Sequence, residues 1–123
     1  MAYFTGYLEE DKIVIFLYSF LINKSMSFNE EVWNLCKKVP KGKITTYKAI
    51  ANALHTKAYR AVGQALNKNP YAPIVPCHRV IASSGYLHGF AYGLKAKKKI
   101  LEKEGIKIKN NKVVNFERVF YSF

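Results

Sequence analysis

The chain has 123 residues, half of them apolar (50%), which is enough for one ordinary hydrophobic core and excludes a chain that is disordered throughout. Twenty lysines and arginines against eight acidic residues give a formal charge of +12. This charge favours a polyanionic partner, and it favours nucleic acid over a membrane surface as that partner. A solvated lysine-rich face would also account for the charge. Two cysteines and three histidines without C-x-x-C or H-x-x-x-H spacing predict no metal site.

Residues 1–26 predict a small β-hairpin, because aromatic and branched residues flank a polar break at 9–12. The apolar stretch 13–22 has about half of the ~20 residues that a membrane-spanning helix needs, so it predicts a strand. No secretory signal opens the chain, and we expect an intracellular protein, cytoplasmic or nucleoid-associated, with both cysteines as free thiols. A hairpin this small must pack on the domain that follows, residues 27–123.

The first predicted helix opens with a capping box. Ser27 is the N-cap and Glu30 follows three residues later, after which apolar residues recur at helical spacing. Cys36 falls on the apolar face and is interpreted as a core residue. Pro40 and Gly42 end this helix.

A second helix, capped by a threonine, begins near Tyr47, and a third is predicted over residues 57–67. A short helix, a turn and a second helix rich in small side chains is the outline of a helix-turn-helix. Helical hairpins of this kind also occur in proteins that bind no DNA, so the outline alone leaves both interpretations open.

A proline-punctuated loop over residues 69–76 cannot be helical and is expected to hold Cys77 on extended backbone. A short strand over 80–82 and a turn over 83–85 follow. The glycine-interrupted loop 86–93 carries four aromatic or histidine side chains that could wall a flat ligand.

The last predicted helix spans residues 94–104 and stops at Gly105. Its lysine-rich run 95–99 predicts a solvated or phosphate-facing helix surface. The remaining tail is expected to be strand-like, with a turn at Asn110 and Asn111.

The pentapeptide PCHRV at residues 76–80 places a thiol beside an imidazole and a guanidinium. Only the thiolate of a cysteine attacks, and its pKa of about 8.5 requires a nearby base or positive field for chemistry at neutral pH. His78 and Arg79 could supply both, with a bridging water between the side chains where they point apart. Cys77 as a buried structural cysteine is the alternative.

These residues together resemble the O6-alkylguanine-DNA alkyltransferases. The resemblance runs from about Phe28 to Gly105 and rests on PCHRV, on Arg60-Ala61-Val62-Gly63 with Asn69-Pro70 before it, and on Ser83-Ser84-Gly85 with the last helix after it. It implies an α+β fold in which a winged-helix-like helix-turn-helix domain carries the active-site loop, preceded here by a minimal N-terminal hairpin. It implies suicide repair, in which a guanine is rotated out of duplex DNA and its O6-alkyl group passes irreversibly to the cysteine.

The resemblance also implies the roles of individual residues. Cys77 is then the nucleophile, His78 accepts its proton through a water, and Glu104 orients His78. Asn69 organises the turn before the active-site loop, and Tyr47 donates to guanine N3 or rotates the nucleotide. The matching position for the arginine that fills the gap in the base stack is Arg60, which otherwise is a phosphate contact or a surface charge.

The remaining assignments concern the DNA surface, the substrate pocket and the support of the site. Small residues on the third helix suit close approach to the narrow minor groove, or equally tight helix packing. The DNA contacts are assigned to Thr46, Lys57, Ala58, Ala61, Gly63 and Gln64. The pocket is assigned to Val80, Ser83, Ser84, Gly85, Phe90 and Ala91, and structural support to Pro76 and Arg79.

The sequence departs from the family pattern in three places. Phe90 stands where the family usually has a tyrosine that donates to O6, and Tyr86 and Tyr92 lie nearby. Ala91 replaces a small serine or glycine, so only its backbone amide could contact the base. The N-terminal domain is reduced to about 26 residues, outside all the matched positions.

We therefore predict a monomeric DNA-repair alkyltransferase that binds double-stranded DNA containing O6-alkylguanine through the minor groove, with no cofactor and no membrane. Three alternatives explain fewer of these features. A non-catalytic alkylated-DNA-binding protein of the alkyltransferase-like class would carry tryptophan at Cys77. A winged-helix regulator does not account for the Pro-Cys-His-Arg run, and a cysteine hydrolase needs neither the charge of +12 nor a helix-turn-helix.

Overall fold

Five α-helices, one 3-10 turn and four two-residue strands make an α+β fold in the computed structural model, which describes residues 26–90 and 92–123. The predicted N-terminal hairpin and Ala91 lie outside these residues. Within them, no helix is both long enough and apolar enough to span a bilayer.

Helix α1, Phe28–Lys37, begins with the predicted capping box. The Glu30 amide donates to Ser27 Oγ at 3.2 Å, and the Ser27 amide donates to Glu30 Oε1 at 2.9 Å, so two free amides at the helix start are satisfied. Cys36 is fully buried on the inner face of α1, as predicted. The Trp33 indole donates to the Ala65 carbonyl at 2.7 Å and ties α1 to the third helix.

Helices α2, Tyr47–Ala53, and α3, Tyr59–Asn67, form the predicted helical pair. Thr46 caps α2 by accepting from the Ala49 amide at 3.0 Å. Helix α3 begins at Tyr59, two residues later than expected, because Thr56 Oγ1 accepts from the Ala58 amide and holds the turn out of helical geometry.

Strand β1, Thr45–Thr46, pairs in parallel with β2, Val80–Ile81, and the register sets Thr45 opposite Val80. This pairing brings the start of α2 beside the segment that carries Cys77, because α2 directly follows β1 and that segment directly precedes β2. The core between α1, α2, α3 and β2 consists of Val32, Cys36, Ile50, Ala51, Val62, Ala65, Leu66, Val75 and Val80.

Helix α4, Leu94–Lys103, ends one residue before the predicted end, with Glu104 as its C-cap and Gly105 at φ +92° after it. Strands β3, Ile108–Lys109, and β4, Lys112–Val113, form an antiparallel hairpin. Its two turn residues are Asn110 and Asn111, at φ +53° and +61°, which is the predicted turn.

The end of the chain differs from the predicted strand-like tail, because Phe116–Val119 forms a short helix, α5. Asn115, at φ +57°, turns the chain out of β4. The Ile44 amide then donates to the Val119 carbonyl at 2.9 Å, which fastens the tail beside β1. A second core, between α4, the hairpin and β2, contains Ile44, Ile81, Leu87, Leu101, Ile106 and Val113.

Candidate active site

Cys77 is the first residue of a 3-10 turn, Cys77–Arg79, so the expectation of extended backbone at this position is wrong. The Arg79 amide donates to the Pro76 carbonyl at 2.9 Å and closes the turn. The tight turn directs the side chains of His78 and Arg79 toward α4. An extended strand would place these two side chains on opposite faces. Cys77 itself is partly exposed and packs against the first core.

Asn69 holds the loop that leads to this turn. Its side-chain amide donates to the Val75 carbonyl at 2.8 Å, and its Oδ1 accepts from the Tyr71 amide at 2.8 Å. One side chain therefore bridges both ends of the proline-rich loop, in agreement with a role in organising it. Pro76 is buried and directly precedes the turn.

Glu104, at the end of α4, forms hydrogen bonds with both residues that follow Cys77. Its Oε2 lies 3.0 Å from His78 Nε2 and 2.7 Å from Arg79 Nη2, and its Oε1 accepts from Arg79 Nε at 2.9 Å. Arg79 Nη1 also donates to the Val39 carbonyl at 2.9 Å. This bidentate pair is a strong, directional contact, and it holds the carboxylate in place against His78.

The pKa values of this cluster follow from its burial and hydrogen bonds. Burial lowers the pKa of His78 below its ordinary 6.5, and the hydrogen bond and charge of Glu104 offset this only in part. Burial opposes ionisation of Glu104, but hydrogen bonds from Arg79 and His78 lower its pKa below 4.5. At neutral pH a neutral imidazole therefore faces a carboxylate, Nε2 carries the proton, and Nδ1 is left as an acceptor.

Acidification is expected to destabilise the fold through these two groups. Below pH 6.5 the unfolded chain binds a proton at this histidine that folded His78 does not bind, so the free energy of unfolding falls. The contribution of Glu104 is present above pH 4.5 and is lost as pH falls through its lower folded pKa. Urea denaturation from pH 7 to 3 measures both losses.

The His78→Gln variant is expected to flatten the stability curve between pH 6.5 and 4.5 and to keep the later fall. His88→Gln, at an exposed histidine, is the control and is expected to follow the original chain. Equal stability of the original chain at pH 7 and pH 5 would contradict the assignment.

Lys97 is completely buried, so the interpretation of residues 95–99 as a solvated surface is wrong at this position. Its Nζ donates to the carbonyls of Val80, at 2.6 Å, of His88, and of Gly89, at 3.1 Å. The three donors of an ammonium group match the three carbonyls, which compensates for its burial. Burial nevertheless lowers the pKa of Lys97 to about 8, against the opposing effects of Cys77 and Cys36.

Tyr47 shares one of these acceptors. Its hydroxyl donates to the His88 carbonyl at 3.2 Å, and Lys97 Nζ lies 5.9 Å from the centre of its ring. Burial raises the pKa of Tyr47 to about 12, so the hydroxyl stays protonated and serves as a donor at neutral pH. Tyr47 and Lys97 together hold the loop at residues 88–89 against β2 and α2.

Two cavities adjoin this site. The inner cavity, at Cys77, has a volume of about 40 Å³ and is lined by Tyr47, Leu66, Asn67, Asn69, Ala72, Cys77, Gly89, Phe90 and Tyr92. The outer cavity, between α3 and the loop at 88–89, has a volume of about 430 Å³ and is lined by Tyr47, Tyr59, Arg60, Gly63, Gln64, Asn67, His88 and Gly89.

The structure brings some of the predicted residues together and leaves others apart. Of the predicted catalytic residues, Tyr47, Asn69 and Cys77 line the inner cavity, while His78 and Glu104 pair behind Cys77. Phe90 lines the inner cavity, whereas Val80 is buried in the core and residues 83–85 form a turn beside the β3–β4 hairpin and line neither cavity. Ala91, also assigned to the pocket, is not among the described residues.

The predicted DNA contacts are split in the same way. Three of them, Arg60, Gly63 and Gln64, line the outer cavity, and Lys57 and Ala58 are exposed in the turn before α3. Thr46 is buried as the cap of α2, and Ala61 is half-buried.

Sequence reasoning missed Lys97, Asn67 and Tyr59 as residues of the site. A signal for Lys97 was present, since it lies four residues before Leu101 and therefore on the same buried face of α4. No group of three or more histidine, cysteine or acidic side chains able to hold a metal ion occurs in the part of the chain that the structure describes.

Comparison with known proteins accounts for most of the chain. Residues 27–106 match the protein-family model of the 6-O-methylguanine DNA methyltransferase DNA-binding domain. A methylated-DNA–protein-cysteine methyltransferase of Sulfolobus acidocaldarius is 51% identical over 82 residues, 67% of this chain and 52% of that protein. One of Methanosarcina acetivorans is 45% identical over 105 residues, 85% of this chain and 64% of that protein. The chain thus spans between half and two thirds of the length of these curated relatives.

Solved structures agree with this. The Mycobacterium tuberculosis OGT in complex with DNA superposes with a TM-score of 0.62 at 42% identity, over 65% of this chain and 50% of that one. S. pombe Atl1 in complex with damaged DNA containing O6-carboxymethylguanine superposes with a TM-score of 0.69 at 29% identity, over 78% of this chain and 95% of that one. The family match, the identities and the shared fold together show that this chain belongs to the 6-O-methylguanine DNA methyltransferase family.

Proposed function

We propose that this protein repairs DNA by a single, irreversible transfer of the alkyl group of O6-alkylguanine to Cys77. The observation that carries the proposal is the arrangement of Cys77 in a cavity with Tyr47 and Asn69, directly before a His78–Glu104 pair. The relatives named methylated-DNA–protein-cysteine methyltransferase support the same activity. The proposed substrate is double-stranded DNA, and the similar structures in complex with DNA and with damaged DNA support DNA as the partner.

The proposed reaction is a displacement at the alkyl carbon. The neutral His78 accepts the thiol proton through a water at Nδ1, while Glu104 holds Nε2. The Cys77 thiolate then forms an S–C bond as the C–O6 bond breaks, and the bonding electron pair leaves with the guanine. A proton returned to the ring makes the products a neutral guanine and a thioether, so the protein acts once.

Tyr47 is proposed to stabilise the leaving guanine. Its pKa of about 12 keeps the hydroxyl protonated, and donation to N3 would lower the charge that develops on the ring. This requires the hydroxyl to leave the His88 carbonyl, which Lys97 continues to bind. Phe90, in the place of the family tyrosine, contributes an apolar wall to the cavity and no hydrogen bond to O6.

DNA recognition is assigned to the α2–α3 pair, as a winged-helix-like unit with α3 in the minor groove. A base stacked in the duplex cannot present its alkyl carbon to Cys77, so extrusion is a physical requirement at a cost of a few kcal/mol. Arg60 is exposed in the first turn of α3 and is proposed to fill the vacated space. Lys57, which is also exposed, suits a phosphate contact.

The Arg60→Ala variant is expected to slow repair of duplex DNA by about tenfold or more while affinity changes less, since nothing then fills the gap and offsets the unstacking cost of a few kcal/mol. Single-turnover transfer and fluorescence anisotropy on one duplex separate the two effects. Lys57→Ala is the control, with weaker binding and a smaller salt dependence expected. Unchanged repair by Arg60→Ala would refute this role.

Intact and peptide mass spectrometry after incubation with a duplex containing one O6-methylguanine tests the function itself. We expect a gain of one methyl group, mapped to Cys77 and saturating at one per protein. A second candidate, a damage-binding protein without transfer, is favoured by Phe90 and by the match that covers 95% of S. pombe Atl1. Tight binding with no gain in mass would establish that candidate instead.

A further inference from the structure

We propose that the outer cavity is a holding site in which the extruded nucleotide is stacked against Tyr59 before the inner cavity at Cys77 admits it. This inference rests on the proposed function and adds to it an intermediate binding site and a stacking residue. The occupant is a nucleotide of the bound duplex, recognised by the faces of its base and not by its alkyl group.

The volumes of the two cavities differ by an order of magnitude. The inner cavity, at about 40 Å³, has room for roughly three water molecules at ~10–15 Å³ each and is too small for a guanine. The outer cavity, at about 430 Å³, lies within the ~300–1,000 Å³ of pockets that enclose small-molecule ligands. A base leaving the duplex therefore finds space first in the outer cavity.

The lining of the outer cavity suits a nucleotide. Tyr59 is 41% exposed in the first turn of α3 and lines the outer cavity together with Arg60. His88 is exposed on the opposite loop. Gly63 leaves open space where a side chain would project, with nothing within 4 Å of an added Cβ. Aromatic rings stack on any base, and cationic side chains attract the phosphate backbone.

The two cavities are adjoining, because Tyr47, Asn67 and Gly89 line both of them. A nucleotide held between Tyr59 and His88 consequently lies beside the wall of the inner cavity. Admission to Cys77 requires that wall to move, and Lys97 fixes it through the carbonyls of His88 and Gly89. Holding thus precedes admission, and it acts on unmodified and alkylated bases alike.

The test compares Tyr59→Ala and Tyr59→Phe with Tyr86→Ala, an exposed tyrosine on the hairpin side that lines neither cavity. Single-turnover methyl transfer is measured from duplex O6-methylguanine and from the free O6-methylguanine base. Extrusion is measured separately by stopped-flow fluorescence on a duplex with 2-aminopurine at the target position, which has no alkyl group to transfer.

For Tyr59→Ala we expect transfer from the duplex to fall by about tenfold, the scale of one base–aromatic stack, with transfer from the free base within about twofold of the original. The 2-aminopurine response should slow equally, Tyr59→Phe should restore both rates because it keeps the stacking ring, and Tyr86→Ala, outside both cavities, should leave all three readouts unchanged. Unchanged duplex repair by Tyr59→Ala, or an equal loss with the free base, would overturn the proposal. If no chain transfers methyl from either substrate, the proposed function fails, while the 2-aminopurine rates still decide the holding site.

Discussion

Replacing Cys77 with alanine is expected to abolish alkyl transfer completely and to leave binding to duplex DNA intact. The thiolate supplies the electron pair that forms the new bond, and alanine has no group that can replace it. The partly exposed side chain contributes little to the core, so the variant should fold. Mass spectrometry measures transfer, and anisotropy with the same O6-methylguanine duplex measures binding.

Cys36→Ala is the matched control, because it removes the other thiol of the chain. Burial raises the pKa of Cys36 to about 12, so this residue is an unreactive thiol in the core of α1. The control is expected to transfer one methyl group and to lose about 1–2 kcal/mol of stability from the small cavity it creates. Full transfer of a methyl group to Cys77→Ala would refute Cys77 as the acceptor.

The Glu104→Gln variant is expected to lose about 3 kcal/mol of stability and about 10²-fold in the rate of transfer. The glutamate and its partner Arg79 have side chains only 11% and 15% exposed, so removing the carboxylate leaves a poorly solvated guanidinium without its counter-charge. The same change removes the acceptor that fixes the His78 tautomer and orientation.

Urea denaturation and single-turnover transfer separate these two effects when His78→Gln is measured beside Glu104→Gln. His78→Gln should lose rate with a smaller loss of stability, because the Arg79–Glu104 pair remains. Glu102→Gln, at an exposed acid on the same helix, should change neither quantity by much. Full activity of Glu104→Gln would show that the carboxylate has a structural role alone.

Local chemistry made several elements of the fold predictable. The capping box of Ser27 and Glu30 and the turn at Asn110 and Asn111 depend on contacts within a few residues, and the structure has all of them. The start of α3 was predicted less well, because the Thr56 side chain competes for the Ala58 amide. The α5 helix was missed, since it is held by backbone hydrogen bonds to Ile44, more than seventy residues earlier.

The candidate site divides in the same way. PCHRV predicted the nucleophile and its neighbours, the family resemblance added Tyr47, Asn69 and Glu104, and the structure brings these side chains together around Cys77 and His78. The resemblance could not tell which pocket positions surround Cys77, and the structure puts Val80 in the core. The packing of the loops decides which side chains surround Cys77, and that packing depends on residues distant in sequence.

Sequence alone determined the capping box of α1, the threonine cap of α2 and the family of the chain, and it predicted Cys77 as the reactive thiol, because these depend on short-range hydrogen bonds and on residue types at set spacings. Tertiary structure decided the burial of Lys97, the pairing of His78 and Arg79 with Glu104, and the separation of the inner and outer cavities. A lysine in a basic run is ordinarily solvated. Only the convergence of three carbonyls, brought together by β2 and the loop at 88–89, compensates for removing its charge from water.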